Sequence, residues 1–221
     1  MKIVDFNKYN YKYIWSQSMN KELKKIKNEQ IEKNRSRRKH EDSFQAEEIE
    51  ELAGRVLRAL EFDAKGIAIP IVKIVRAFDF RAYKEDLKKE LPGDISINGK
   101  TKEIYKHDKI ILVKKSDALY HQRFIVAHEL AHYLFEFLGS EEYEEGLEFH
   151  DNYHKDDHVT IPERRANRFA AAILMPSDSF IEQYKIVREA DFKDMYTIDY
   201  LFRFFETPMD SIERRIKEVM L

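Results

Sequence analysis

His128 and His132 lie four residues apart, with Glu129 directly after the first of them. Imidazoles at i and i+4 leave one helix face a turn apart, so both can reach a single ion. Glu129 lies about 100° round the helix from His128, near enough to meet a water beside that ion without ligating it. On a helix, His-Glu-x-x-His is the arrangement by which zinc peptidases hold a metal and place a base. With 8 His in 221 residues, chance supplies roughly 0.03 copies of the pattern. Phe124, Ile125, Val126, Ala127, Leu130, Ala131, Leu134 and Phe135 surround it. Three ionisable groups in so apolar a segment need a buried partner.

A catalytic zinc takes three protein ligands and keeps a fourth position open. Glu136 continues the histidine face, but it is about 12 Å along the axis from His128 and cannot converge with both histidines. The extended form with a glycine and a third histidine is absent, because Phe135 and Leu138 stand at those positions. A metzincin is therefore excluded. Glu163 is the better candidate, at the start of Glu163-Arg164-Arg165-Ala166-Asn167-Arg168-Phe169-Ala170-Ala171. Asn167 follows it by one helical turn, so its side-chain oxygen can accept the free N–H of a ligating histidine and fix the tautomer. Ala166, Ala170 and Ala171 allow close packing against the first helix. Taken alone, this segment is an amphipathic helix with a solvated glutamate near its N-terminus; paired with the upstream motif, it becomes a ligand helix.

These residues need elements to position them. Residues 117–138 lack Gly and Pro and include 14 apolar or aromatic residues, which predicts a long buried helix that Ser116 caps and Gly139 ends. Pro162 starts the second helix and Pro176 stops it after Leu174. Upstream, Ile49, Leu52, Ala53, Val56 and Leu60 share one face of a helix over 44–60. Pro70 opens another, reaching about Phe78. Ile95 and Ile97 alternate with polar residues before Asn98-Gly99, a hairpin dipeptide, with Ile104 on the return strand and Ile110–Val113 as a further strand. Weaker helices are expected over 178–188, 197–205 and 208–220. The fold class is thus α+β and mostly helical, with a small antiparallel or mixed three-stranded sheet packed on a zincin-like helical core. Three parts are expected: a charged helical arm (1–43), a peptidase domain (44–196) and a C-terminal helical hairpin (197–221).

The chain resembles the ImmA/IrrE family of metallopeptidases. The resemblance rests on Arg123-Phe124-Ile125-Val126-Ala127-His128-Glu129-Leu130-Ala131-His132 and on Glu163 through Ala171-Ala172-Ile173-Leu174-Met175-Pro176. It covers roughly residues 45–220 and leaves the N-terminal arm outside. It implies a gluzincin-like fold in which His128, His132 and Glu163 hold zinc, with manganese as an alternative, and Glu129 is the general base. It also implies a protein substrate, a helix-turn-helix transcriptional repressor of a phage or mobile element. The competing reading is a zinc-containing regulator that binds its partner without cutting it. An oxyanion donor is needed as well, and Tyr133, Tyr153, Arg123 and the nearby histidines are all open candidates. A peptide substrate is expected to add a strand to the Ile95–Val113 sheet.

Composition narrows the rest. There is no Cys, which removes disulfides and thiolate chemistry, and the net charge is −2, so no global basic field draws the chain to nucleic acid. No stretch approaches a membrane span, and the first twenty residues hold no run like a signal peptide. A cytoplasmic protein is expected; its oligomeric state is left open. Residues 21–40 carry nine Lys or Arg, and Trp15, Met19, Leu23, Ile26 and Gln30 form a stripe. That favours a helix packed on the body over partner docking or nucleic-acid contact. His150, His154 and His158 read as a solvated loop, ahead of a pocket rim, a further metal site or a lid; His121 reads as a surface or cap residue. The 197–221 hairpin looks like a helix-turn-helix, but Arg214, Arg215 and Lys217 alternate with Asp210, Glu213 and Glu218, a weak phosphate footprint. A structural hairpin is favoured over a DNA reader.

Overall fold

In a computed structural model, the described residues are 17–40, 45–62, 68–88, 91–97, 101–141, 149–150, 160–190 and 194–220. Helices α1 (Gln17–His40), α2 (Ala46–Ala59) and α3 (Ile71–Ala77) lead to strands β1 (Arg81–Glu85) and β2 (Gly93–Ile97). A short α4 (Thr101–Tyr105) precedes β3 (Lys109–Lys114) and α5 (Leu119–His132), which runs on as a π-helical segment, Tyr133–Phe137. A two-residue β4 (Phe149–His150) is followed by α6 (Ile161–Leu174), α7 (Ser177–Glu189), α8 (Asp194–Phe205) and α9 (Met209–Met220). The architecture is α+β and mostly helical, with a small mixed sheet.

The sheet order is β1-β3-β2-β4. β2 runs antiparallel to β3, with Ile95 opposite Ile111, while β1 runs parallel to β3, with Arg81 opposite Ile110. Ile95, Ile97, Ile111 and Val113 are buried on the face that joins the main core. α5 lies between this sheet and α6, and its packing against α6 is the most extensive in the fold. Ala127 and Ala131 on α5 and Ala166 and Ala170 on α6 are all buried, and such small side chains let two helix axes approach closely. α2 closes the far side of α6 with Ile49, Leu52, Ala53 and Val56. No described helix is long and apolar enough to cross a membrane.

Four expectations are corrected. Ile104 is not on a strand: it sits in α4 and is 59% exposed, and the antiparallel partner of β2 is β3. Tyr105 fixes that helical turn by packing on Tyr83 at 4.6 Å and donating to Glu85 Oε1 at 3.0 Å. The Asn98-Gly99 turn lies outside the described residues. β1 was not anticipated, since it buries only Tyr83. Ala118, not Ser116, is the N-cap of α5; Gln122 instead ties the entry loop by donating to the Lys114, Lys115 and Asp117 carbonyls at 3.0, 3.3 and 2.7 Å. Finally, the long helix is α-helical only as far as His132, then widens to π-helical spacing through Phe137.

On α1, Leu23, Ile26 and Gln30 are buried as the stripe implies, together with Asn34. Trp15, and residues 151–159 with Tyr153, His154 and His158, lie outside the described residues.

Candidate metal centre

α6 is built to present Glu163. Thr160 caps it, its Oγ1 accepting the Glu163 N–H at 3.4 Å, and Pro162 occupies the first turn. Glu163 thereby sits at the positive end of the helix dipole, which favours its charge. Its carboxylate faces α5: Oε2 is 3.4 Å from His128 Nε2, and Oε1 is 3.4 Å from His132 Nε2. The two Nε2 atoms are 2.9 Å apart. Nitrogen lone pairs cannot face each other at that distance without a proton or a cation between them.

His128, His132 and Glu163 form a group whose ligand atoms lie within 4.8 Å of one another. Tetrahedral zinc, with bonds of about 2.0–2.1 Å, sets its ligand atoms about 3.3 Å apart. The observed separations of 2.9, 3.4 and 3.4 Å bracket that value. The donor set, two imidazoles and one carboxylate, also suits a catalytic zinc with its fourth position free. The residues fit the ion.

A hydrogen bond supports the His128 ring, and a carboxylate faces the His132 ring. Asn167 Oδ1 lies 3.1 Å from His128 Nδ1, so that nitrogen carries the proton and Nε2 keeps its lone pair for the centre. On the other ring, His132 Nδ1 is 3.4 Å from Glu136 Oε2. Glu136 is outside the group of His128, His132 and Glu163, and its carboxylate faces the second histidine. Arg165 on α6 bonds the Glu136 carboxylate and stacks over the Phe135 ring, 5.4 Å from its centroid.

Burial disfavours a charged His132, yet hydrogen bonding to Glu136 and Glu163 and the nearby Glu129 charge outweigh it and raise its pKa to about 11. For Glu163, burial acts upward, but bonding to His128 and His132 holds the carboxyl well below the usual range. Both shifts describe a pocket with a strong preference for positive charge.

Glu129 is fully buried under β2. Gly93 makes room for it: a Cβ at position 93 would lie 2.8 Å from Glu129 Oε1 and 2.3 Å from Ile125 Cγ2. Gly93→Ala is expected to destabilise the fold by about 1–3 kcal/mol through overpacking and to shift the carboxylate. Thermal denaturation alongside a peptidase assay checks this; unchanged stability and activity together would refute it.

Two of the other candidates are engaged elsewhere. Tyr133 is fully buried against Phe78 and Phe80, its hydroxyl 3.4 Å from Lys109 Nζ. Arg123 donates to the Ile69 and Glu206 carbonyls at 2.9 and 3.2 Å and ties loops together. His121 is exposed, and His150 pairs with Ser96 at the sheet margin. Sequence reasoning missed Gly93, Arg165 and the orienting role of Glu136. Only the last left a signal, its i+4 spacing from His132.

A His-His-Glu centre held between two buried helices beside a small mixed sheet defines a metallopeptidase-type protein. The family model of the IrrE N-terminal-like domain, a peptidase family, matches residues 93–217, and the chain belongs to that family. The match takes in His128, Glu129, His132, Glu163 and Asn167 and leaves α1, α2, α3 and β1 outside it. No curated protein matches the chain.

Proposed function

We propose that this protein is a zinc-dependent endopeptidase that cleaves a helix-turn-helix transcriptional repressor of a phage or mobile element, with His128, His132 and Glu163 as metal ligands. The observation that carries the reading is the convergence of those three side chains one residue away from a buried Glu129. When bound, the ion polarises a carbonyl and lowers the pKa of water toward about 7; the donor set also admits manganese. Glu129 takes the proton of the attacking water and later delivers it to the leaving amine. Asn167 and Glu136 keep the two imidazoles aimed, so the ligands need no rearrangement during the reaction.

The outer edge of β2 supports a peptide-binding role. Among the described residues, β4 pairs with that edge at Ser96 and Ile97, the end of the strand away from Gly93. A peptide added there as a strand would run beside Glu129, because Gly93 abuts its carboxylate.

Co-expression with the repressor of the same mobile element, read by intact mass, tests the function. Fragments are expected with the wild-type chain and not with Glu129→Gln. Stoichiometric zinc without fragments from either would favour a regulator that binds its partner uncut.

A further inference from the structure

The π-helical segment that follows His132 has its carbonyls held from outside the family-matched region. Its i+5 bonding appears in the Leu138 N–H donating to the Tyr133 carbonyl at 3.0 Å. The helix ends at Gly139, whose φ of +71° is left-handed. A helix end leaves its last carbonyls without helical donors, and here α1 supplies them. Asn34 Nδ2 donates to the Leu134 and Leu138 carbonyls, each at 2.9 Å. Arg38 donates to the Gly139 carbonyl at 2.6 Å, to that of Leu138 at 3.4 Å and to that of Glu136. Asn34 is 2% exposed, and its amide is oriented by Gln30 Nε2 donating to Oδ1 at 2.8 Å. Helix and segment touch closely: a Cβ at Gly139 would sit 3.0 Å from Ile31 Cγ2.

We propose that Asn34 and Arg38 are positioning residues for the metal centre, fixing the π-helical segment so that Glu136 stays aimed at His132; this rests on the metal-binding reading above. One residue links the two ends. The Glu136 carbonyl is held by Arg38, and its carboxylate is 3.4 Å from His132 Nδ1. Without the clamp the segment is free to return to α-helical spacing, which rotates residue 136 about the axis relative to His132. Outer contacts of this kind act on metal affinity by orienting the ligand ring. α1 is therefore part of the metal site's architecture, although it supplies no ligand and lies outside residues 93–217.

A set of variants of the full chain separates positioning from plain stabilisation. Arg38→Gln and Asn34→Ala remove the clamp. Arg37→Gln and Arg55→Gln loosen α1 elsewhere, by cutting its ion pairs to α2, Arg37 with Glu48 at 2.6 Å and Arg55 with Glu29 at 2.5 Å. Three quantities are read: zinc dissociation constant against a chromogenic chelator, visible absorption of the cobalt(II)-loaded protein, and melting temperature without metal. The clamp variants are expected to bind zinc up to about tenfold more weakly, the lower end of the effect of losing a ligand's direct partner, with altered cobalt bands; Arg38→Lys should recover part of the loss. The ion-pair variants should lower only the melting temperature. If clamp and ion-pair variants show the same zinc constants and the same cobalt spectrum, the proposal is overturned while the metal site stands. If the wild-type chain takes up no stoichiometric metal, the metal-binding reading falls and takes the clamp with it.

Discussion

Glu129→Gln should lower the rate of peptide-bond cleavage by about 10²–10⁴-fold, the usual contribution of a positioned general base, while zinc stays bound. That range corresponds to about 3–5 kcal/mol of transition-state stabilisation. Glutamine keeps the volume of the side chain, which matters in a slot that Gly93 leaves barely wide enough. It takes no proton from water at neutral pH. The group of His128, His132 and Glu163 is untouched by the change. Single-turnover cleavage of the repressor, with zinc content measured on the same preparation, reads the two effects separately. Activity within tenfold of wild type would remove Glu129 from the role of base. Loss of zinc along with activity would make it a support of the metal instead. His132→Ala gives the contrasting pattern, because it deletes a ligand and should lose metal and activity together.

The legible parts of this protein are those where one helix face carries the information. α2 and α6 could be read because their apolar periodicity and end signals agree, and the His128–His132 pair because side chains at i and i+4 share one helix face. The rest depends on residues distant in sequence. β1 holds one buried side chain and pairs with β3 almost thirty positions away, so it has little local alternation. The π-helical segment is written in donors about a hundred residues upstream, Asn34 and Arg38, and nothing in Tyr133–Phe137 itself announces it. Glu136 faces the second nitrogen of His132, a neighbour that counting ligands does not bring to mind. Gly93 becomes meaningful only once β2 is laid over Glu129. Ile104 misled for a related reason: an apolar residue after a hairpin dipeptide suggests a return strand, but its neighbours are polar and the chain leaves it exposed in a helical turn.

Truncating Glu50 to alanine is expected to cost about 3–5 kcal/mol, because it takes the two-oxygen partner from a buried charge and leaves only Glu218 Oε2 at 3.4 Å. Arg215 is that charge. In sequence it sits among Arg214 and Lys217, where a phosphate contact was one reading, but its side chain is fully buried. Its guanidinium bonds both Glu50 oxygens, Ser177 Oγ at 3.0 Å and the Met175 carbonyl at 3.1 Å. One residue thus ties α9 to α2 and to the Met175-Pro176 stop of the ligand helix. In a chain of this size the loss corresponds to a fall in melting temperature on the order of 10 °C. Acid should erase the difference. Burial pushes the Glu50 carboxyl up, but Arg215 and Ser177 outweigh it and leave the folded value below 4.5. A carboxyl lowered on folding stabilises fully above its unfolded pKa and ceases to do so as pH falls through the folded one. The gap between wild type and Glu50→Ala should therefore be full at pH 7 and shrink in acid, as pH falls below the ordinary carboxylate range. Denaturant melts across that range check it, and a gap under 1 kcal/mol at pH 7 would sink the assignment. Replacing both partners, as Glu50→Leu with Arg215→Met, should recover most of the loss, because two apolar groups leave no charge uncompensated. The folded fraction of Glu50→Ala should still bind zinc as wild type does, since the pair holds the end of the ligand helix and touches none of the three ligands.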